Sequence, residues 1–155
     1  MGRPSSGTCH FIPASSAFVV PPSAMTGLLH AHSGLRFLIL LLAVVNLAML
    51  GLGLVKKRPF GRLERALGSA FAGLLHLQVV LGVTMVALGR FYPALAGHIV
   101  MMLLAAVSAQ VAMSKNRRLP TPGHVVPLVG VLLALGFIMG GVMAIGRGLF
   151  TMTLH

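Results

Sequence analysis

This chain has almost no acid. Among its 155 residues Glu64 is the only carboxylate side chain, against twelve lysines and arginines. Without an aspartate no Ser–His–Asp arrangement can be built. No carboxylate relay can run through a membrane either, because Glu64 lies outside the long apolar runs. Cysteine is equally scarce: Cys9 stands alone near the N-terminus. An internal disulfide and a thiolate metal cluster are therefore both excluded. Charged residues make up only 8% of the chain and hydrophobic ones 57%. A soluble fold could not cover that much apolar surface with so few charges.

What is present is apolar length. The mean hydropathy is +0.97, and the chain divides into four long hydrophobic runs. The net charge of +11 sits at the ends of those runs. That is where cations set membrane orientation, and no basic face with interleaved aromatics points to nucleic acid. The sequence therefore predicts an all-α, four-transmembrane-helix up-down bundle with the lipid bilayer as its first partner.

Residues 1–26 read differently. They carry Pro4, Pro13, Pro21 and Pro22, several serines and no long periodic run. Phe18-Val19-Val20 is too short for the apolar core of a secretory signal. The expectation is a disordered or loosely docked N-terminal arm, and Met25, directly before the first span, is an alternative start of translation. Spans are expected at about 27–55, 67–88, 94–113 and 125–145, in a membrane domain covering 27–146 and followed by a short tail, 147–155. Lys56, Lys57, Arg58, Arg62 and Arg65 crowd the first loop, and Lys115, Arg117 and Arg118 the third; the middle loop has only Arg90. Loops one and three are thus expected in the cytoplasm and both termini outside.

Polar groups inside the spans are costly and usually have a role or a partner. At 1.5 Å of rise per residue, Asn46 lies roughly 15 Å above Lys56, Arg36 about 30 Å and His32 about 36 Å. Above Arg65, His76 lies roughly 16 Å up and Gln78 about 20 Å. Above Lys115, Met102 lies about 20 Å up and His98 about 25 Å. Asn46 and His76 match in depth, which predicts a hydrogen bond between helices one and two. Arg36 and His98 are close in depth in the outer half, with His32 above them. Helical spacing puts His32, Arg36, Ala43 and Asn46 on one stripe. It groups Ser69, Ala72, Gly73, His76, Val80 and Val83 on a second, and His98, Met101, Met102, Ala105 and Ala109 on a third. Gly136, Gly140 and Gly141 give the fourth span a small-residue packing face.

Three kinds of ligand suit these groups. A haem b would take axial histidines at one depth, or one histidine and a methionine such as Met85 or Met143. The counts leave His98 roughly 9 Å from His76 and about 11 Å from His32 in height. Arg36 would suit a propionate. A bilayer quinone would accept hydrogen bonds from His and Arg near the outer interface, with Met and Leu against its ring. Copper(I) would suit the thioethers of Met101 and Met102 together with His98 and His76, although packing is the default role of methionine. The candidate cofactor-binding residues are thus His98, His76, His32 and Arg36. The candidate metal ligands are His98, His76, Met101 and Met102.

His32-Ser33-Gly34-Leu35-Arg36-Phe37, His76-Leu77-Gln78 followed by Leu81-Gly82, and His98-Ile99-Val100-Met101-Met102 closed by Ser114-Lys115 occur in that order. In these motifs, over about residues 27–145, the chain resembles a bacterial four-span membrane family often labelled cytochrome-b-like. The resemblance implies haem, electron transfer and a place in a bacterial inner membrane. The chain departs from the pattern at Phe37, where tryptophan is expected, and at Gly97, where glutamate is expected. Without that glutamate Arg36 and His98 have no acidic partner. The reading that follows is a cytochrome-b-like or quinone-associated electron-transfer subunit rather than a stand-alone enzyme, working beside other membrane subunits. The alternative is an accessory subunit packed beside a larger respiratory or photosynthetic complex.

Overall fold

The computed structural model describes residues 21–146. They form four helices: α1 (Pro22–Val55), α2 (Arg62–Ala87), α3 (Ala94–Arg118) and α4 (Val125–Ala144). Each is long and apolar enough to cross a membrane. The chain is a multi-pass membrane protein of the expected all-α, four-helix class. The N-terminal arm and the tail expected from the sequence lie outside the described residues.

Local chemistry sets the helix ends. Pro22 opens α1 at a position where a missing N–H costs nothing. At its other end Lys57 takes a positive φ of 50°. The Arg58 N–H then reaches the Gly53 carbonyl at 3.0 Å, and the Lys57 N–H reaches Leu54 at 3.2 Å. This double closure satisfies carbonyls that would otherwise lack partners. Gly89 (φ 91°) closes α2 in the same way, and the Arg90 N–H bonds to Met85 at 3.1 Å. The lone acid serves the fold. Glu64 Oε2 accepts the Gly61 N–H at 3.0 Å and caps the start of α2.

Three helices differ in extent from the sequence expectation: α2 begins at Arg62, ahead of residue 67. α1 begins at Pro22, ahead of residue 27, and α3 runs through Lys115 to Arg118. The segment after Ser114 was expected to be loop. It stays helical because Lys115, Arg117 and Arg118 sit in the last turn, where cations complement the helix dipole.

The helices pack in a ring in which α1 meets α2, α2 meets α3, α3 meets α4 and α4 meets α1; the α3–α4 seam is the most extensive. Lipid is as apolar as leucine, so close van der Waals approach holds such a bundle together, and small residues permit it. Ala105, Ala109 and Ala112 on α3 are buried, as are Gly130, Ala134 and Gly141 on α4. A methyl group added at Gly130 would overlap Ala112. Gly141 thus belongs to the seam as expected, but Gly136 faces outward with open space beside it. Leu41, Val44, Val80, Val107 and Leu132 are turned outward on the surface that meets lipid.

Helix α2 is rotated from its expected setting. Its buried stripe is Gly68, Phe71, Ala72, Leu75 and Gln78, while Gly73, His76, Val80 and Val83 are exposed. The Asn46–His76 bond is therefore not formed. Asn46, almost fully buried, donates instead to the carbonyls of Leu42 (2.8 Å) and of Leu67 on α2 (3.3 Å). His76 Nδ1 donates to Ala72 of its own helix at 2.7 Å. That bond lowers the cost of carrying the ring on an outward face.

Candidate functional site

A cavity of about 230 Å³ opens among the helices at the end formed by residues 88–93, the start of α1 and the end of α4. All four helices line it. Ile39, Leu75, Met102, Ile138 and Val142 make apolar walls, and His32, Arg36, Gln78 and His98 bring polar groups from three helices. Arg90 and Tyr92 stand at the loop side. The closure at Gly89 fixes the direction in which Arg90 leaves α2.

Each polar group has a defined setting. His98 Nδ1 lies 2.8 Å from the carbonyl oxygen of Gly141 on α4. A carbonyl cannot donate, so Nδ1 carries a proton, and when that is the ring's one proton its lone pair is at Nε2. A backbone carbonyl is the usual partner that orients a ligating or basic histidine. The approach depends on Gly141, where an added Cβ would lie 3.0 Å from Met101 Cβ and 3.5 Å from His98 Nδ1. The His32 ring stands edge-on to His98, with centroids 6.5 Å apart. An added Cβ at Gly82 would come within 3.4 Å of the His32 ring. His32 Nδ1 is buried without a hydrogen-bond partner. Gln78 Nε2 donates to the His32 backbone carbonyl at 2.9 Å, while its Oε1 is buried and unpartnered. The Arg36 guanidinium carbon lies 5.0 Å from the Phe37 ring centroid, a cation–π contact at the position where tryptophan was expected.

The expected site residues divide. The structure brings together His32, Arg36, His98 and Met102. It leaves His76 on the outer face of α2 and Met101 packed against Gly140 and Gly141, neither of them on the cavity wall. Met85 lines the cavity, but Met143 is 68% exposed and points away. The height gap counted between His32 and His98 was too large because Lys115 is not level with Lys56. It lies inside α3, three residues before the helix ends at Arg118. Measured from the helix ends the gap shrinks to roughly 5 Å. Among the described residues no three of His, Cys, Asp and Glu converge on one point.

Gln78 was missed as a site residue. Its signal was present: Gln78 and Gly82 are four apart, and Gly68, Phe71, Leu75 and Gln78 follow helical spacing as well as the His76 stripe does.

Comparison of the chain with protein-family models, with curated proteins and with solved structures finds no match.

Proposed function

We propose that this chain is a quinone-associated subunit of a membrane electron-transfer assembly, and that the cavity receives the head group of a lipid-soluble quinone. The observation that carries this reading is the convergence of His32, Arg36, Gln78 and His98, from three helices, on one apolar-walled cavity. A flat ring with two polar edges and an apolar tail matches such a lining, because few polar groups fix its orientation while hydrophobic walls hold its faces. Ile39 and Leu75 offer packing on one side and Met102 and Ile138 on others. The absence of any carboxylate near the site keeps it free of negative charge that would repel electron-rich ring oxygens. On the charge pattern of the loops, the cavity faces the side away from the cytoplasm in a bacterial inner membrane.

A haem reading has one observation in its favour: the 6.5 Å separation of the His32 and His98 rings. Axial ligation places an imidazole on each side of the iron, at a metal–nitrogen distance of about 2 Å for a first-row ion. The residues fit poorly in another respect. A macrocycle must lie between the rings and is several times the size of a single quinone ring, while the cavity holds about 230 Å³. A quinone ring is the better match.

One preparation tests both. The protein is purified from membranes in mild detergent, its visible spectrum is taken before and after dithionite, and its solvent extract is analysed for quinones. The expected result is a colourless protein with quinone near one equivalent per chain. A Soret band that shifts on reduction would replace the quinone reading with haem. A colourless, quinone-free protein that co-purifies with other membrane subunits would leave an accessory role.

A further inference from the structure

Two hydrogen bonds set which atoms of Gln78 and His98, two of the polar residues lining the cavity, remain for a ligand. The Gln78 amide is oriented by its bond to the His32 carbonyl. Only nitrogen can donate there, so Oε1 is the atom left over. That oxygen is buried, has no partner, and belongs to a residue that is 6% exposed and lines the cavity. The His98 ring is oriented in the same way by the Gly141 carbonyl, which holds the proton on Nδ1 and leaves a lone pair on Nε2. Two elements, α2 and α3, thus each contribute an acceptor whose role is fixed by a backbone carbonyl behind it. His32 is different: its Nδ1 is uncommitted, so the ring can meet a donor or an acceptor.

We infer that the cavity selects the quinol, the hydroxyl-bearing reduced form, over the quinone. This rests on the quinone-site reading above and adds its redox form. A quinone presents only acceptor oxygens: the Arg36 guanidinium, a donor on the same wall, suits one of them, but an oxygen set against Gln78 Oε1 leaves both atoms without a proton between them. A quinol presents an O–H at each end of its ring and can donate to Gln78 Oε1 and to His98 Nε2. A buried acceptor without a donor is costly, so the quinol should be preferred by about tenfold or more.

The test uses the full chain in nanodiscs of neutral phospholipid, under anoxic conditions. Three probes are titrated by calorimetry: a decyl-substituted benzoquinone, its quinol, and the quinol's dimethyl ether. The ether keeps the ring and both oxygens but replaces each hydroxyl proton with a methyl group, so it removes both donors and adds bulk. The quinol is expected to bind about tenfold more tightly than the other two, which should resemble each other. In Gln78→Leu the quinol-to-quinone affinity ratio should fall toward one. Equal binding of all three probes to the wild-type chain would overturn the preference and leave the site standing. Binding of none would overturn the site itself. Should Gln78→Leu fail to fold, the quinol-to-quinone affinity ratio of the wild-type chain carries the test.

Discussion

The two ends of this bundle differ in what their buried polar side chains surround. At the end formed by residues 56–61 and 119–124, polar groups close the fold. Asn116 Oδ1 accepts the Gly123 N–H at 3.0 Å, Glu64 caps α2, and the buried His124 ring packs edge-on to Phe60 with centroids 5.5 Å apart. The His124 ring sits directly on Gly53, where a Cβ would overlap it. Arg117 donates to Ser69 and ties α3 to α2. At the other end, His32, Gln78 and His98 surround a cavity; buried atoms without a hydrogen-bond partner occur at both ends, Asn116 Nδ2 and His124 Nε2 at the first and His32 Nδ1 and Gln78 Oε1 at the second, but at the second the residues that carry them line a cavity. The same four helices provide both ends. What differs is how closely they approach, and glycine and alanine decide that. A bundle zipped by small residues at one end can hold its other end open with little risk of coming apart.

The zipped seam should be the most sensitive part of the chain. Gly130→Leu pushes a side chain into Ala112 and toward the Ser108 carbonyl, 3.3 Å from the added Cβ. Overpacking of this kind costs about 3 kcal/mol, read as a lower midpoint in thermal or SDS unfolding in mixed micelles. Gly136→Leu is the matched control: nothing lies within 4 Å of its added Cβ, so its midpoint should hardly move. Equal effects at the two positions would mean that the α3–α4 seam is not what holds the bundle.

Gly141→Ala probes the boundary between the two ends. Its methyl group meets Met101 Cβ at 3.0 Å and the flexible end of Met102 at 2.6 Å. The expected stability loss is smaller, about 1 kcal/mol. Separating α3 from α4 also stretches the bond from His98 to the Gly141 carbonyl, so ligand affinity should drop by about tenfold. A stability loss without an affinity loss would break the link between the seam and the His98 tautomer.

The fold was legible in the sequence because apolar length and flanking charge report directly on membrane spans. Lys56-Lys57-Arg58 and Phe91-Tyr92-Pro93 mark real helix ends. The site was legible where a helix had one polar stripe. On α1, His32, Arg36 and Asn46 could only point one way together, and on α3, His98 and Ala105 did the same. Helix α2 misled because its outward face is as apolar as its inward one, so periodicity could not choose between them. Two polar residues, His76 and Gln78, lie two positions apart and point to different sides. Choosing the histidine turned the helix the wrong way. Gly68 and Gly82 hold the correction, since a glycine on the buried face makes room for a neighbour, Met113 in one case and His32 in the other.

Asn46→Leu tests the glue between α1 and α2. It removes the donor to the Leu67 carbonyl and also removes Oδ1, which is buried without a partner. Hydrogen bonds between membrane helices average about 0.6 kcal/mol, so the net loss should stay below about 1 kcal/mol. A loss of several kcal/mol would place Asn46 at the centre of the fold rather than on its seam.

His76→Ala should do least, and for that reason separates two possibilities most cleanly. The ring is exposed and its one hydrogen bond returns to Ala72 of the same helix. Substitutions at such positions stay within about 0.5 kcal/mol, and alanine is the better helix former. Stability and quinol binding should both match the wild-type chain in unfolding and calorimetric titrations. An imidazole facing outward in the middle of a span still carries a cost in lipid, and a neighbouring subunit is what could relieve it. If His76→Ala leaves the purified chain unchanged but reduces the subunits that co-purify with it, the residue belongs to an interface. If it abolishes ligand binding instead, the α2 stripe containing His76 is the functional one, and the cavity lined by Gln78 is not the site.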